Sequence, residues 1–286
     1  MLQDAPEHKE TREYLENRIE QRHTGKFDGA IYLMQSYERT GDFEKAAEIL
    51  QGQVPETERQ GDKKALFTLL VRIADLQEQK LAAPDLAFMT LCRALRVEPN
   101  DPQLRERLNR LGAQSDVVDD LCELYEEQAL AAEVSGKHAL AAELRESAGA
   151  ALAGDGNAPE RAVQIYEAVL EKQPGRLVPL EALSALYPRI GRHADHEKVL
   201  RRRLMFKDDA LERVPILVEL ARCLVGPLER PDEALPILEE TRRLDPGNTG
   251  ARRLLIELME QRANLAALRD LLDEEIAACK ESKDEE

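Results

Sequence analysis

Residues 84–99 read PDLAFMTLCRALRVEP, residues 159–174 read PERAVQIYEAVLEKQP, and residues 231–246 read PDEALPILEETRRLDP. In each stretch the two prolines stand 15 residues apart. A proline at the first helical position loses no hydrogen bond, because its missing N–H would be unpaired there anyway. The Asp or Glu that follows meets the positive end of the helix dipole, and the second proline lies just past the last turn. Each stretch therefore predicts one helix of about four turns. A small residue (Ala87, Ala162, Ala234) is followed one position later by Phe88, Val163 or Leu235, and four positions later by Leu91, Tyr166 or Leu238. That spacing lays one apolar stripe along each helix.

Working outward, a second small residue (Ala74, Gly149, Ala221) comes ten residues before each first proline, in an apolar run with Leu69, Leu144 and Ile216 in register. A preceding helix is predicted there, with the small residue letting two backbones approach. Pro99, Pro174 and Pro246 recur at 75 and 72 residues, about twice the length of one helix-turn-helix repeat. A second hairpin fills each gap. Leu33, Leu108, Leu183 and Leu255 recur at steps of 75, 75 and 72, and new helices begin near Phe43, Val117, His193 and Leu265. Each of these carries a leucine seven residues on, at Leu50, Leu124, Leu200 and Leu272.

The segment from Ala30 to Leu50, with Leu33, Tyr37, Gly41-Asp42-Phe43, Ala46 and Leu50, resembles the tetratricopeptide (TPR) signature. The proline-bounded stretches are similar to that family's second helix and terminal proline, and the alternating hairpins resemble the double-length TPR-like repeats of long bacterial arrays. The likeness covers roughly residues 27 to 276. The family's first-helix Trp is absent, and its small first-helix residue is replaced by Met34 in the first unit and Asn109 in the third. The resemblance implies an all-α fold, a right-handed α-solenoid of stacked antiparallel hairpins with about 15 helices. Residues 1–26 are expected to hold a leading helix near 7 to 22, residues 27–279 seven hairpins of one solenoid, and residues 280–286 a frayed acidic tail. The polar stretch Glu56 to Lys64 is expected to be a helix–helix connection.

Composition agrees with a helical array and excludes several functions. A chain of 286 residues exceeds one ordinary core, while aromatic residues make up 4% and Trp is absent. The balance of 56 acidic against 40 basic residues gives a net charge of −16, which repels phosphate backbones and anionic lipid headgroups. Neither nucleic acid nor a membrane is expected as a partner. Cys92, Cys122, Cys223 and Cys279 form no CxxC pair, which predicts reduced thiols. The first twenty residues hold no apolar signal core, and no run approaches the roughly 18 apolar residues that span a bilayer, so a cytoplasmic location is expected.

No motif carries chemistry. His193 and His196 lie three residues apart on one helical face, but a metal needs further ligands, and the sister repeats place Phe43, Val117 and Leu265 at the position of His193. Gly154-Asp155-Gly156 joins two helices without the Lys and Ser/Thr of a phosphate-binding loop. The expectation is a non-enzymatic scaffold without a cofactor that binds a protein or peptide. Two alternatives are a regulatory or assembly region of a larger enzyme or a motility or secretion machine, and a metal-dependent enzyme centred on His193 and His196.

Two groups of residues are candidates for partner binding. Arg189, Arg192, Lys198, Arg201, Arg202, Arg203, Lys207 and Arg213 make a basic ridge on an otherwise acidic chain, suited to an acidic partner. The plainer reading makes them one solvated face, paired locally with Asp195, Glu197, Asp208 and Asp209. The TPR resemblance implies that first helices line a concave groove, through Gln35, Asp75, Arg110, Ala150, Ala185, Arg222 and Glu257. These positions lack the Asn residues with which chaperone-cofactor TPR domains clamp a terminal carboxylate.

Overall fold

The computed structural model describes residues 29–154, 158–261 and Arg269. Among the described residues there are thirteen α-helices and no strand. They are α1 (Gly29–Thr40), α2 (Phe43–Gln60), α3 (Lys63–Gln79), α4 (Pro84–Val97), α5 (Pro102–Gln114), α6 (Val118–Val134), α7 (His138–Ala153), α8 (Pro159–Lys172), α9 (Leu177–Arg189), α10 (His193–Leu204), α11 (Ala210–Val225), α12 (Pro231–Leu244) and α13 (Thr249–Gln261). The expected count was about 15; the leading helix near 7 to 22 and the helix after Leu265 fall outside the described residues. So do Cys279, Asp155, Gly156 and the 280–286 tail.

The proline-bounded stretches become α4, α8 and α12, each starting on its first proline and ending two residues before Pro99, Pro174 or Pro246. Their small residues Ala87, Ala162 and Ala234 are fully buried, as are Ala74 and Ala221. The repeat leucines Leu33, Leu108, Leu183 and Leu255 are buried too, together with Leu50, Leu124 and Leu200. The 72–75-residue period is thus a period of core positions.

One expectation needs correcting. The stretch 56–64 is not an open connection, because Glu56–Gln60 continues α2 past Pro55 and α3 starts at Lys63. Only Gly61 and Asp62 lie between. Gly61 adopts φ 71°, where a Cβ would crowd the backbone, and Asp62 caps α3 by accepting the Ala65 N–H at 3.0 Å. A glycine and a capping carboxylate suffice to turn the chain, so the polar residues before them stay helical.

The chain forms two compact units, residues 1–158 and 159–286. In the first, helices pack in chain order, α1 on α2, α2 on α3, α3 on α4 and so on, with α4 also touching α6 and α5 touching α7. A buried polar cluster ties the last three helices together. Asn109 Nδ2 donates to the Ser147 carbonyl at 3.1 Å, Arg105 reaches Glu143 at 3.3 Å, and the fully buried Tyr125 places its hydroxyl 3.0 Å from the Arg105 carbonyl. Asn109, where the TPR pattern has a small residue, is therefore a structural polar anchor. In the second unit α8 packs on α9, α9 on α10, α10 on α11, α11 on α12 and α12 on α13, and α11 also meets α13. Its core joins Leu200, Ile216, Leu220, Leu224, Leu238 and Leu255. Among the described residues no helix is long and apolar enough to cross a membrane.

Candidate functional site

The basic ridge lies on α9, α10 and the start of α11, and most of its cations already hold carboxylates. Arg192 occupies the N-cap position of α10, stacks 4.8 Å from the Tyr187 ring centroid, and reaches Glu167 at 2.9 Å and Asp195 at 2.7 Å. Lys198 adds a second cation to Asp195 at 3.0 Å. Hydrogen bonds from Lys198 and then Arg192 hold the Asp195 carboxyl below its ordinary range. Arg201 binds Glu197 at 2.8 Å, Lys207 binds Glu212 at 2.8 Å, and Arg213 binds Glu240 at 3.1 Å. Arg203 donates to Ser184 Oγ at 2.8 Å and lies 3.9 Å from Glu219. Arg189 is exposed at the end of α9.

Arg202 differs. Its guanidinium donates to the Pro174 carbonyl, and no carboxylate among the described residues pairs with it. The expected local partners Asp195 and Glu197 are confirmed in place, whereas Asp209 instead caps α11 by accepting the Leu211 and Glu212 N–H groups.

The series expected to face a groove falls into both units. In the first, Asp75 and Arg110 come together through Arg107 and Glu78: Arg107 lies 2.7 Å from each carboxylate, and Arg110 lies 2.6 Å from Glu78. Desolvation would raise the Glu78 carboxyl, but the hydrogen bonds from Arg110 and Arg107 outweigh it and hold the group below its usual range. Ala150 is exposed. Gln35 is exposed at the wall of an open groove of about 580 Å³ among α1, α2 and α3, with Met34, Leu50, Gln53, Leu69 and Arg72 around it. In the second unit Ala185, Arg222 and Glu257 are exposed.

The two histidines are not paired. His196 is buried, with Nε2 3.0 Å from Glu219, whereas His193 is half-buried and its carbonyl accepts the Cys223 thiol at 3.5 Å. Among the described residues no group of three or more His, Cys, Asp and Glu could hold a metal ion. Cys122 donates to the Ala148 carbonyl, and burial pushes the Cys92 thiol up to about 11.

One surface escaped the sequence reading. Leu177, Val178, Met205, Phe206 and Leu211 are 40%, 54%, 78%, 44% and 68% exposed where α9 begins, α10 ends and α11 begins. The signal was present in Arg201-Arg202-Arg203-Leu204-Met205-Phe206-Lys207, where apolar residues follow the ridge cations. Helical periodicity hides it, since residues beside a turn belong to no stripe.

No protein-family model matches the chain, and no curated protein matches it. Among solved structures, a tetratricopeptide repeat protein from Parabacteroides merdae is 12% identical, with 89% of this chain and 88% of that chain covered and a TM-score of 0.37. PilW, a type IV pilus biogenesis factor, is 14% identical over 79% of this chain and 96% of its own, with a TM-score of 0.42. YrrB, described as a TPR protein with an unusual peptide-binding site, is 11% identical over 69% and 95%, with a TM-score of 0.41.

Proposed function

We propose that this chain is a non-enzymatic, TPR-like scaffold that holds a protein or peptide partner on its exposed helix surface. The observation that carries this reading is the open groove among α1, α2 and α3. Its wall mixes the apolar side chains of Met34, Leu50 and Leu69 with the hydrogen-bonding side chains of Gln35, Gln53 and Arg72. Such a lining suits a peptide, whose backbone needs polar contacts and whose side chains need apolar ones. The groove series Gln35, Asp75, Arg110, Arg222 and Glu257 and the ridge residues 189 to 213 are the proposed contact positions. The sequence period of 72 to 75 residues runs through both units, as expected of a repeat array.

The test places a photo-crosslinking side chain at Gln35 in one variant and at Lys198 in another, then irradiates each in lysate of the source organism. A discrete protein adduct, identified by mass spectrometry and reduced by Leu69→Glu or by reversal of Arg201, Arg202 and Arg203, is expected. Absence of any specific adduct at both positions would overturn the scaffold reading.

A further inference from the structure

Three repeat-equivalent turns, at Pro99, Pro174 and Pro246, invite direct comparison. In the first and third, an arginine six residues after the proline donates to the proline carbonyl: Arg105 to Pro99 at 2.8 Å and Arg252 to Pro246 at 3.0 Å. Both turns also cap the following helix. Asp101 accepts the Gln103 and Leu104 N–H groups, and Asn248 accepts the Ala251 N–H at 2.9 Å. The middle turn keeps neither device. Leu180 stands six residues after Pro174, and Arg176 occupies the capping position without a side-chain cap.

One of the two devices is replaced, from the end of α10 and the turn that follows it. Arg202 supplies the guanidinium to the Pro174 carbonyl, and the Phe206 ring lies against Gly175, 3.5 Å from where a Cβ would stand. Residues one and two past the cap are Pro102-Gln103 and Thr249-Gly250 in the sister turns, but Leu177-Val178 here. With Met205 and Leu211 they complete an exposed apolar edge beside a guanidinium that lacks a carboxylate. A local rule kept in two repeats and broken in the third, at the place where apolar side chains face water, marks a binding site. Met, Phe and Arg are also the residue types enriched in interfaces.

The rim selects the occupant. Close to the edge in sequence, Glu181, Asp208, Asp209 and Glu212 are balanced by Arg202, Arg203, Lys207 and Arg213, with Lys207 holding Glu212 at 2.8 Å. With no net positive charge there, neither an anionic bilayer nor a polyacidic chain is drawn to the edge. We infer that the edge formed by Leu177, Val178, Met205, Phe206 and Leu211 docks an apolar protein segment that brings a single carboxylate to Arg202. This inference rests on the scaffold reading and gives it a second contact site, on the other unit.

A phage-displayed library of 16-residue peptides is selected on the full chain and counter-selected on the Met205→Ser, Leu211→Ser double variant. Both side chains are exposed, so the variant keeps its fold, as a melt verifies. The expected winners are apolar peptides with one Asp or Glu that lose at least tenfold in affinity on the double variant and on Arg202→Gln. Binding is expected to recover with Arg202→Lys. Changing the peptide's acid to its amide should weaken binding to the wild type and change nothing on Arg202→Gln. Winners indifferent to both variants, or winners with no acidic residue, overturn the inference. So does wild-type-specific binding of phosphatidylserine vesicles. If selected peptides crosslink only at Gln35, the edge is refuted and the scaffold stands; if no peptide is selected and no lysate adduct forms, both fall.

Discussion

The hydroxyl of the fully buried Tyr125 lies 2.9 Å from the half-buried Asn109 side-chain oxygen, joining α6 to α5. Burial drives the phenol pKa far up, so the hydroxyl stays neutral and a donor throughout the accessible pH range. Tyr125→Phe removes the single O–H donor that Asn109 Oδ1 and the Arg105 carbonyl share. It should cost about 1–3 kcal/mol, the desolvation penalty of a buried unsatisfied group, read as a shift in urea midpoint.

Arg176 holds the backbone conformation of an N-cap, with φ −71° and ψ 125°, close to that of the capping Asp209. Arg176→Asp should supply the missing acceptor and stabilise the chain by roughly 0.5–2 kcal/mol. A lower melting temperature would show that the arginine contributes more to this turn than a cap would.

Gly191 and Glu229 occupy the same left-handed backbone region, at φ 74° and 52°. Opposite responses follow. Gly191→Ala should destabilise by about 1 kcal/mol although nothing lies within 4 Å of the added methyl, whereas Glu229→Gly should be neutral or stabilising. Paired thermal melts measure both; equal signs would refute the backbone explanation.

Ala162 is fully buried on α8. Ala162→Leu should cost on the order of 1–3 kcal/mol through overpacking, against about 0.5 kcal/mol or less for an exposed position. An unchanged melt would contradict the placement of this helix face.

Glu78 links α3 to α5 through Arg107 and Arg110, and its carboxyl is held below the usual range in the folded chain. A depressed pKa contributes stability above the unfolded value, and that contribution is lost as pH falls through the folded value. The stability difference between wild type and Glu78→Gln should therefore be largest near neutrality and shrink below about pH 4.5, the ordinary glutamate value. A difference independent of pH down to 3 would sink this assignment.

Core positions were legible because burial and helical period coincide. Spacing alone put Ala87, Ala162, Ala234 and the repeat leucines on inner faces, and all of them are buried. The helix starts expected near Phe43, Val117 and His193 lie at Phe43, Val118 and His193. What the pattern could not supply was pairing. The cations from Arg189 to Lys207 form a ridge in one dimension, but carboxylates from distant helices, such as Glu167 for Arg192 and Glu240 for Arg213, neutralise much of it. Arg202 stands apart from its neighbours only because of which way α10 turns it.

The substitution of Arg202 for a nearby arginine at Pro174 changes the order in which the chain can assemble. Arg105 and Arg252 each close a loop of six residues, while Arg202 reaches back across 28. Loop closure grows more costly with length, and α10 must be docked before its guanidinium meets the carbonyl. The first turn of α9 is thus sealed late, and amide hydrogens at Leu180 and Glu181 should exchange at the rate at which α10 detaches, not at the rate at which α9 frays. The equivalent turns at Pro99 and Pro246 carry their latch within the same few residues and close on their own.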